Sequence, residues 1–204
     1  MRPLTTRKAF ALVVLLSGLF AKGGWITTQL TDNSGFDTCA AICDSTVVWS
    51  GTPGDLEIYV FDGVTTSKLT DNLYEDNYPQ ISGSNVTWWC RDDDKHGIRF
   101  YDGVTTIELA EAFSSDSVSY PLGYPRISGS SVVWHAFDGQ DYEIFLYDGE
   151  EILQLTDNDF NDRYPQVSGP NVVWYGDDGN DFEVFLYDGE EILQLTDNDF
   201  HDTN

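Results

Sequence analysis

FLYDGEEILQLTDNDF occurs twice in this chain, from Phe145 to Phe160 and again from Phe185 to Phe200. The copies are identical over sixteen residues and lie forty positions apart. Identity of that length marks a recent duplication of one structural unit. More diverged copies lie upstream. Trp49, Trp88, Trp134 and Trp174 each follow a Val-Val or Val-Thr pair. Phe61-Asp62-Gly63, Tyr101-Asp102-Gly103, Tyr147-Asp148-Gly149 and Tyr187-Asp188-Gly189 come twelve or thirteen residues after them. A period near forty residues with several short strands per unit is the pattern of a propeller or a related array. Such units are scaffolds, and their function sits in loops that the repeat does not specify.

The last unit serves as the template. Tyr164 to Ser168 (YPQVS) is a short run closed by the turn Gly169-Pro170. Asn171 to Tyr175 (NVVWY) is β-branched and aromatic, and Phe182 to Tyr187 (FEVFLY) is a second such run. Asp188-Gly189 is a hairpin signal before Glu191 to Thr196 (EILQLT). This predicts four strands joined by tight turns. Neighbouring apolar residues in the middle strands point to opposite faces, so both faces are greasy. A small sheet stacked between two similar sheets fits that pattern, which is a propeller blade. A β-sandwich of the same strands leaves the four-strand period unexplained. The fold class is therefore all-β, a β-propeller of four-stranded blades. The four blades span about 39–77, 78–116, 124–161 and 164–202. The four repeat tryptophans are expected at equivalent buried sites.

Two departures from the repeat stand out. Six extra residues lie within Glu111 to Tyr124, and Leu-Thr-Asp-Asn becomes Leu109-Ala110-Glu111-Ala112 in the second unit. Loops vary where binding evolves, so this enlarged loop is the better functional pointer. The second departure is at the ends. Ile26 to Asn33 (ITTQLTDN) matches the fourth strand of a unit, yet the last unit already owns Glu191 to Thr196. The expectation is four repeats plus an extra N-terminal strand. The ring is then open, the chain a piece of a longer propeller, or another chain its complement. Val173, Tyr175, Phe185 and Tyr187 are candidates for an uncovered blade face, through which the chain would self-associate.

Composition bounds the partners. Arg2, Arg7 and Lys8 precede the apolar run Ala9 to Ala21, and Ala21-Lys22-Gly23 is a small-x-small pattern. Residues 1–23 read as a signal peptide, with an uncleaved N-terminal anchor as the alternative. Residues 24–204 form the repeat domain, expected to be secreted, extracellular or periplasmic, with no membrane insertion after cleavage. Loss of Arg2, Arg7, Lys8 and Lys22 moves the formal charge from −25 to −29. That field repels nucleic acid and anionic lipid and favours cations and basic partners. It also keeps a repetitive β protein soluble. Cys39, Cys43 and Cys90 are odd in number. Export makes a disulfide possible, and Cys39 and Cys43 could pair only if the chain turns between them, because an extended spacing of four is too long for the bond.

The run Tyr164-Pro165-Gln166-Val167-Ser168-Gly169, then Val172-Val173-Trp174, Asp178-Gly179-Asn180-Asp181, Phe185-Leu186-Tyr187-Asp188-Gly189 and Leu195-Thr196, resembles the TolB-type (WD40-like, PD40-type) propeller repeat. The resemblance covers Trp25 to Asn204. It implies a propeller of six or seven blades, of which this chain supplies four and a fraction. Gly169-Pro170, Gly83-Ser84 and Gly129-Ser130 stand where the family has an Asp-Gly turn.

Little here points to catalysis. No Gly-x-Ser-x-Gly is present, and His96, His135 and His201 occupy unrelated phases of the repeat. His135 directly follows Trp134 and reads as a packed or rim histidine. Calcium is the sharper reading. Asp157, Asp159 and Asn161 put oxygen side chains at alternate positions, and Asp197 and Asp199 repeat the start. Asp162 and Ser168 fill the positions where a calcium loop has Gly and Glu, so this is no EF-hand. The competing reading is that Asp and Asn simply cap turns. Asp138-Gly139 and Asp178-Gly179 read as plain turns. The expected function is a non-enzymatic binding scaffold for a protein or glycan. The alternative is a fragment of a propeller enzyme such as a polysaccharide lyase or hydrolase.

Overall fold

The computed structural model describes residues 12–13, 27–115 and 118–198. Among these there is no helix. A short pair, β1 (Leu12–Val13) and β2 (Thr28–Gln29), precedes four antiparallel four-stranded sheets. The first blade holds β3 (Asp37–Cys43), β4 (Thr46–Gly51), β5 (Glu57–Phe61) and β6 (Thr66–Lys68). The second holds β7 (Glu75–Ser82), β8 (Asn85–Asp92), β9 (Lys95–Tyr101) and β10 (Thr106–Phe113). In the third are β11 (Arg126–Ser128), β12 (Ser131–Phe137), β13 (Tyr142–Tyr147) and β14 (Ile152–Gln154). The fourth has β15 (Asp162–Ser168), β16 (Asn171–Asp177), β17 (Phe182–Tyr187) and β18 (Ile192–Gln194).

Each sheet is a simple meander in which sequence neighbours pair. The first strands touch from blade to blade: β3 packs on β7, β7 on β11, and β11 on β15. They form the inner edge. Packing of that extent does not return from the fourth blade to the first, so the four blades make an open arc. The first strands are stitched by one repeated bond. Gly83 N–H donates to Cys43 Sγ, Gly129 N–H to Ser82 Oγ, and Gly169 N–H to Ser128 Oγ. Cys43 therefore stands in for a serine. All three cysteines are free thiols.

β3, β7 and β15 each carry a bulge, with Cys39, Tyr78 and Tyr164 at φ of 52°, 54° and 56°. A left-handed tyrosine is strained, and a bulge is where a strand tolerates and uses it. These strands begin two or three residues ahead of Cys39, Tyr78 and Tyr164, at Asp37, Glu75 and Asp162.

The repeat tryptophans are equivalent, as their phase predicts. Trp49, Trp88, Trp134 and Trp174 are all at most 3% exposed. Three of their indoles donate to an aspartate at the head of the inner strand: Trp49 to Asp37, Trp88 to Asp76, and Trp174 to Asp162. The Trp88 and Trp174 bonds each end a polar relay that crosses between blades. At the first junction Thr70 donates to Glu57 at 2.6 Å and accepts from Ile58 N–H. Asn72 N–H donates to Glu57, and Asn72 Nδ2 donates to Asp76 at 2.7 Å. At the third junction Thr156 accepts from Ile144 N–H, Asn158 N–H donates to Glu143, and Asn158 Nδ2 and the Trp174 indole both donate to Asp162. Upstream of the first blade, Asn33 donates to Asp37. The Leu30–Asn33 segment thus seats on the first blade as a fourth-strand exit does, in keeping with its sequence.

The second junction has lost the whole relay. Gly97, Ala110, Ala112 and Leu122 occupy the positions of its Glu, Thr, Asn and Asp. The junction instead packs the largest apolar cluster, including Trp89, Ile98, Phe100, Leu109, Leu122, Val132 and Trp134. Removing one partner of a buried bond strands the other, whereas replacing all partners by apolar groups is nearly neutral. The substitutions therefore had to come together. Freed from the Thr-Asp-Asn turn, β10 runs eight residues.

Among the described residues, one face of the fourth blade is covered. Along β16 burial alternates, while β4 is buried on both faces. Trp174 and Phe185 stack at 5.9 Å on the face against the third blade, with Tyr187 in the same cluster. Val173 pairs with Leu186 and Tyr175 with Val184 on the other face. So the sequence assignment is corrected for two residues. Phe185 and Tyr187 lie on the covered side because the register sets Phe185 opposite Trp174, and only Val173 and Tyr175 share the uncovered side.

Candidate functional site: an arginine-lined cleft at the inner edge

The enlarged loop after β10 folds back along the third blade. Phe137 N–H donates to Pro121 O and Gly123 N–H to His135 O, both at 2.8 Å. Leu122 bridges Ala136 where the other blades continue their inner strand. Ser114 ties the loop base, bonding His96 Nε2 at 2.7 Å and Ser119 O at 2.9 Å. Tyr142 Oη donates to Tyr120 O. The loop thereby forms one wall of a cleft of about 340 Å³ between the third and fourth blades.

Its rings are Tyr120, Tyr124, Tyr142 and Tyr164, and its polar groups include Arg126, Arg163, His135 and Gln166. His135 lies between Tyr142 and Tyr164, with ring centroids 5.5 and 5.4 Å away. Burial, then the neighbouring Arg163 charge, pushes its pKa down to about 4, so the imidazole is neutral. Tyr164 N–H points at Nδ1 at 3.4 Å, leaving the ring proton on Nε2. Gly123 lies under the imidazole, and a Cβ there would meet the ring.

Arg163 is held from two sides. Its guanidinium sits 4.1 Å over the Tyr142 ring, and Nη2 donates to Asn161 Oδ1 at 2.9 Å. Its Nε is buried without a hydrogen-bond acceptor. Arg126 enters from β11. Among the described residues six carry a fixed positive charge, and four of them pair with carboxylates: Lys68, Arg91, Lys95 and Arg99. The two without a carboxylate of the described residues within 4.0 Å are Arg126 and Arg163, and both line this cleft. In a chain with 35 acidic residues that is a local reversal of sign. The geometry suits an anionic group carried on an apolar or planar body: guanidinium forks for the anion and rings for the body.

The enlarged loop does reach the cleft, through Tyr120, Leu122, Gly123 and Tyr124. His135 is a packed histidine, as its neighbour Trp134 suggested. Both arginines went unread, although each departs from the repeat. Arg126 stands where Gln80 and Gln166 do, and Arg163 where Asn77 does. The described calcium candidates lie in the turns that leave the last strands of the third and fourth blades. Asp157, Asp159 and Asp197 are exposed, Asp159 accepts from Gln140, and Asn161 is engaged by Arg163. Asp199 lies outside the described residues. Among the described residues carboxylates converge at Asp138, Asp141 and Glu143, and again at Asp178, Asp181 and Glu183.

No protein-family model and no curated protein matches the chain. Solved structures do. TolB from Acinetobacter baumannii superposes with a TM-score of 0.57 at 13% identity, over 84% of this chain and 46% of its own. The fold is that of a TolB-like β-propeller. Acylaminoacyl peptidase from Pyrococcus horikoshii gives 0.59 at 16% identity, over 85% of this TolB-like chain and 28% of its own. Dipeptidyl peptidase 4 from Porphyromonas gingivalis gives 0.61 at 9% identity, over 85% and 35%. The chain thus spans less than two thirds of each of these proteins. Identities this low speak for the shared fold alone.

Proposed function

We propose that this chain is an exported, non-enzymatic binding module that holds an anionic segment of a partner protein in the cleft between its third and fourth blades. The observation that carries the reading is the pair Arg126 and Arg163, the two described cations without a carboxylate, placed together beside tyrosine rings. Arginine and tyrosine are the side chains that dominate protein-binding hot spots. The cleft is built to hold rather than to cut. No serine, cysteine or carboxylate is among its described lining residues, and His135 is neutral with Nδ1 already occupied. The N-terminal leader pattern supports export.

Calorimetric titration with N-acetyl-phenylalanine and with its amide tests the reading. The free carboxylate should bind at least tenfold more tightly, since a hydrogen bond to a charged group is worth about 1.5–3 kcal/mol. Arg126→Ala and Arg163→Ala should each abolish that preference. Equal binding of acid and amide, or preference retained in both variants, would refute it. A second reading, a propeller segment of a larger hydrolase, is favoured by the likeness to the two peptidases. The cleft would then hold part of the substrate chain.

A further inference from the structure

The turns between the second and third strands of the last two blades hold carboxylates that no plain hairpin needs. In the third blade, Asp138, Asp141 and Glu143 bring one oxygen each to within 4.8 Å of one another. Two oxygens bound to one calcium ion at 2.3–2.6 Å lie no more than about 5 Å apart, so a single ion can reach all three. Asp141 is 6% exposed and Glu143 0%. Neither oxygen of Asp141 has a hydrogen-bond partner, nor has Glu143 Oε2. Buried ionised carboxylates are paired or bind metal, because an uncompensated one is expensive. Asp157 and Asp159 add further negative charge around Asp141. Asp178, Asp181 and Glu183 repeat the grouping in the fourth blade, where Glu183 is 0% exposed with Oε2 unpartnered.

The other blades supply an internal control. The first blade has the same buried glutamate, Glu57. There Lys68 meets it at 3.5 Å and reaches Asp71 at 2.7 Å. In the third and fourth blades Gln154 and Gln194 stand in place of Lys68. In the second blade Lys95 stands in place of Asp141 and pairs with Glu111 at 2.5 Å. The first blade thus neutralises its buried glutamate with a lysine, and the second has Gly97 in place of the glutamate and a lysine in place of Asp141. The two duplicated blades have no lysine there and one more buried carboxylate.

We infer that Asp138, Asp141 and Glu143 form a calcium site, that Asp178, Asp181 and Glu183 form a second, and that the ions replace the lysines of the first two blades. The ligands are all hard oxygens, as calcium requires, with solvent filling the remaining positions. The ion would sit on the glutamate that starts the interblade relay, so its role is to fix blade against blade.

The test is calorimetry of the chelator-treated full chain with calcium chloride, in 0.15 M NaCl to screen diffuse binding to the acidic surface. Two ions should bind per chain. Asp141→Asn should leave one, and Asp141→Asn with Asp181→Asn should leave none. Asp138→Asn alters an exposed residue and should weaken one of the two sites at least tenfold. It carries the test if either Asp141→Asn protein loses the wild-type near-ultraviolet dichroism. No saturable binding by the wild type would overturn the inference. So would two undiminished sites in the double variant, or in Asp138→Asn where the double variant is not native.

Discussion

Leu146 and Leu186 occupy the same place in identical sixteen-residue runs, and truncating each to alanine isolates the value of a covering blade. Helix or strand propensity, turn chemistry and nearest neighbours along the chain are the same at both sites. Only the next blade differs. Leu146 is 5% exposed and packs with Val133, Ile144, Val172 and Trp174. Leu186 sits on the uncovered face and is half-buried. The contrast runs through both copies: Thr156 is 8% exposed and Thr196 more so, and Leu195 is 53% exposed. A fully buried leucine truncated to alanine costs about 3–4 kcal/mol, because the transfer loss is joined by a residual cavity. The half-buried copy leaves no enclosed cavity and loses roughly half the transfer term, about 1–2 kcal/mol. Urea unfolding at micromolar protein should therefore place Leu146→Ala about 2 kcal/mol below Leu186→Ala. Costs equal within about 0.5 kcal/mol would refute the open-arc reasoning. If a second copy covers the face, as the sequence expectation of self-association holds, the Leu186→Ala cost will rise with protein concentration while the Leu146→Ala cost stays fixed.

Two further outcomes follow from the buried polar groups. Burial raises the Asp76 carboxyl from 3.8 to about 6. The folded state therefore holds that proton more tightly than the unfolded chain. Its contribution is complete below about pH 4 and is lost as pH rises through 6. In urea melts from pH 4 to 8, wild type should lose stability over that window relative to Asp76→Asn, and a constant difference would contradict the assignment. Gly123→Ala should drive the His135 ring out of place, costing about 1–3 kcal/mol by overpacking and weakening carboxylate binding in the cleft. Unchanged stability and binding would show that the loop does not press on the imidazole.

The repeat, the strand order and the tryptophan core were legible because they are local and periodic. A Val-Val-Trp run reads the same in every copy, and the structure buries each of those indoles. The Leu-Thr-Asp-Asn exit was legible as a motif, although its relay to the next blade's aspartate is visible only in three dimensions. Arg126 and Arg163 were harder. They sit on different blades, and each looks like an ordinary polar exchange for Gln or Asn until the fold sets them on one cleft. The acidic turns were hidden for the opposite reason. Asp-Gly explains a tight turn by itself, and Asp138 does accept the turn's Gln140 N–H. Only the burial of Asp141 shows a surplus of charge. Aligning the four copies at Lys68, Lys95, Asp141 and Gln154 would have raised the question from sequence.

The junction relay also carries information about order. The first and fourth blades present a socket on one side, the aspartate and indole, and a plug on the other, the glutamate, threonine and asparagine. A unit with both parts fits a copy of itself, so a gene segment encoding it can be doubled in tandem without repair. The third blade is an adapter. Its upstream side is greasy and fits only the equally greasy exit of the second blade, while its downstream side has the polar plug. Shuffling the blades would set a stranded carboxylate against a leucine. The sequence of blades is thus written into their contacts, and growth by duplication is open wherever a polar plug meets a polar socket.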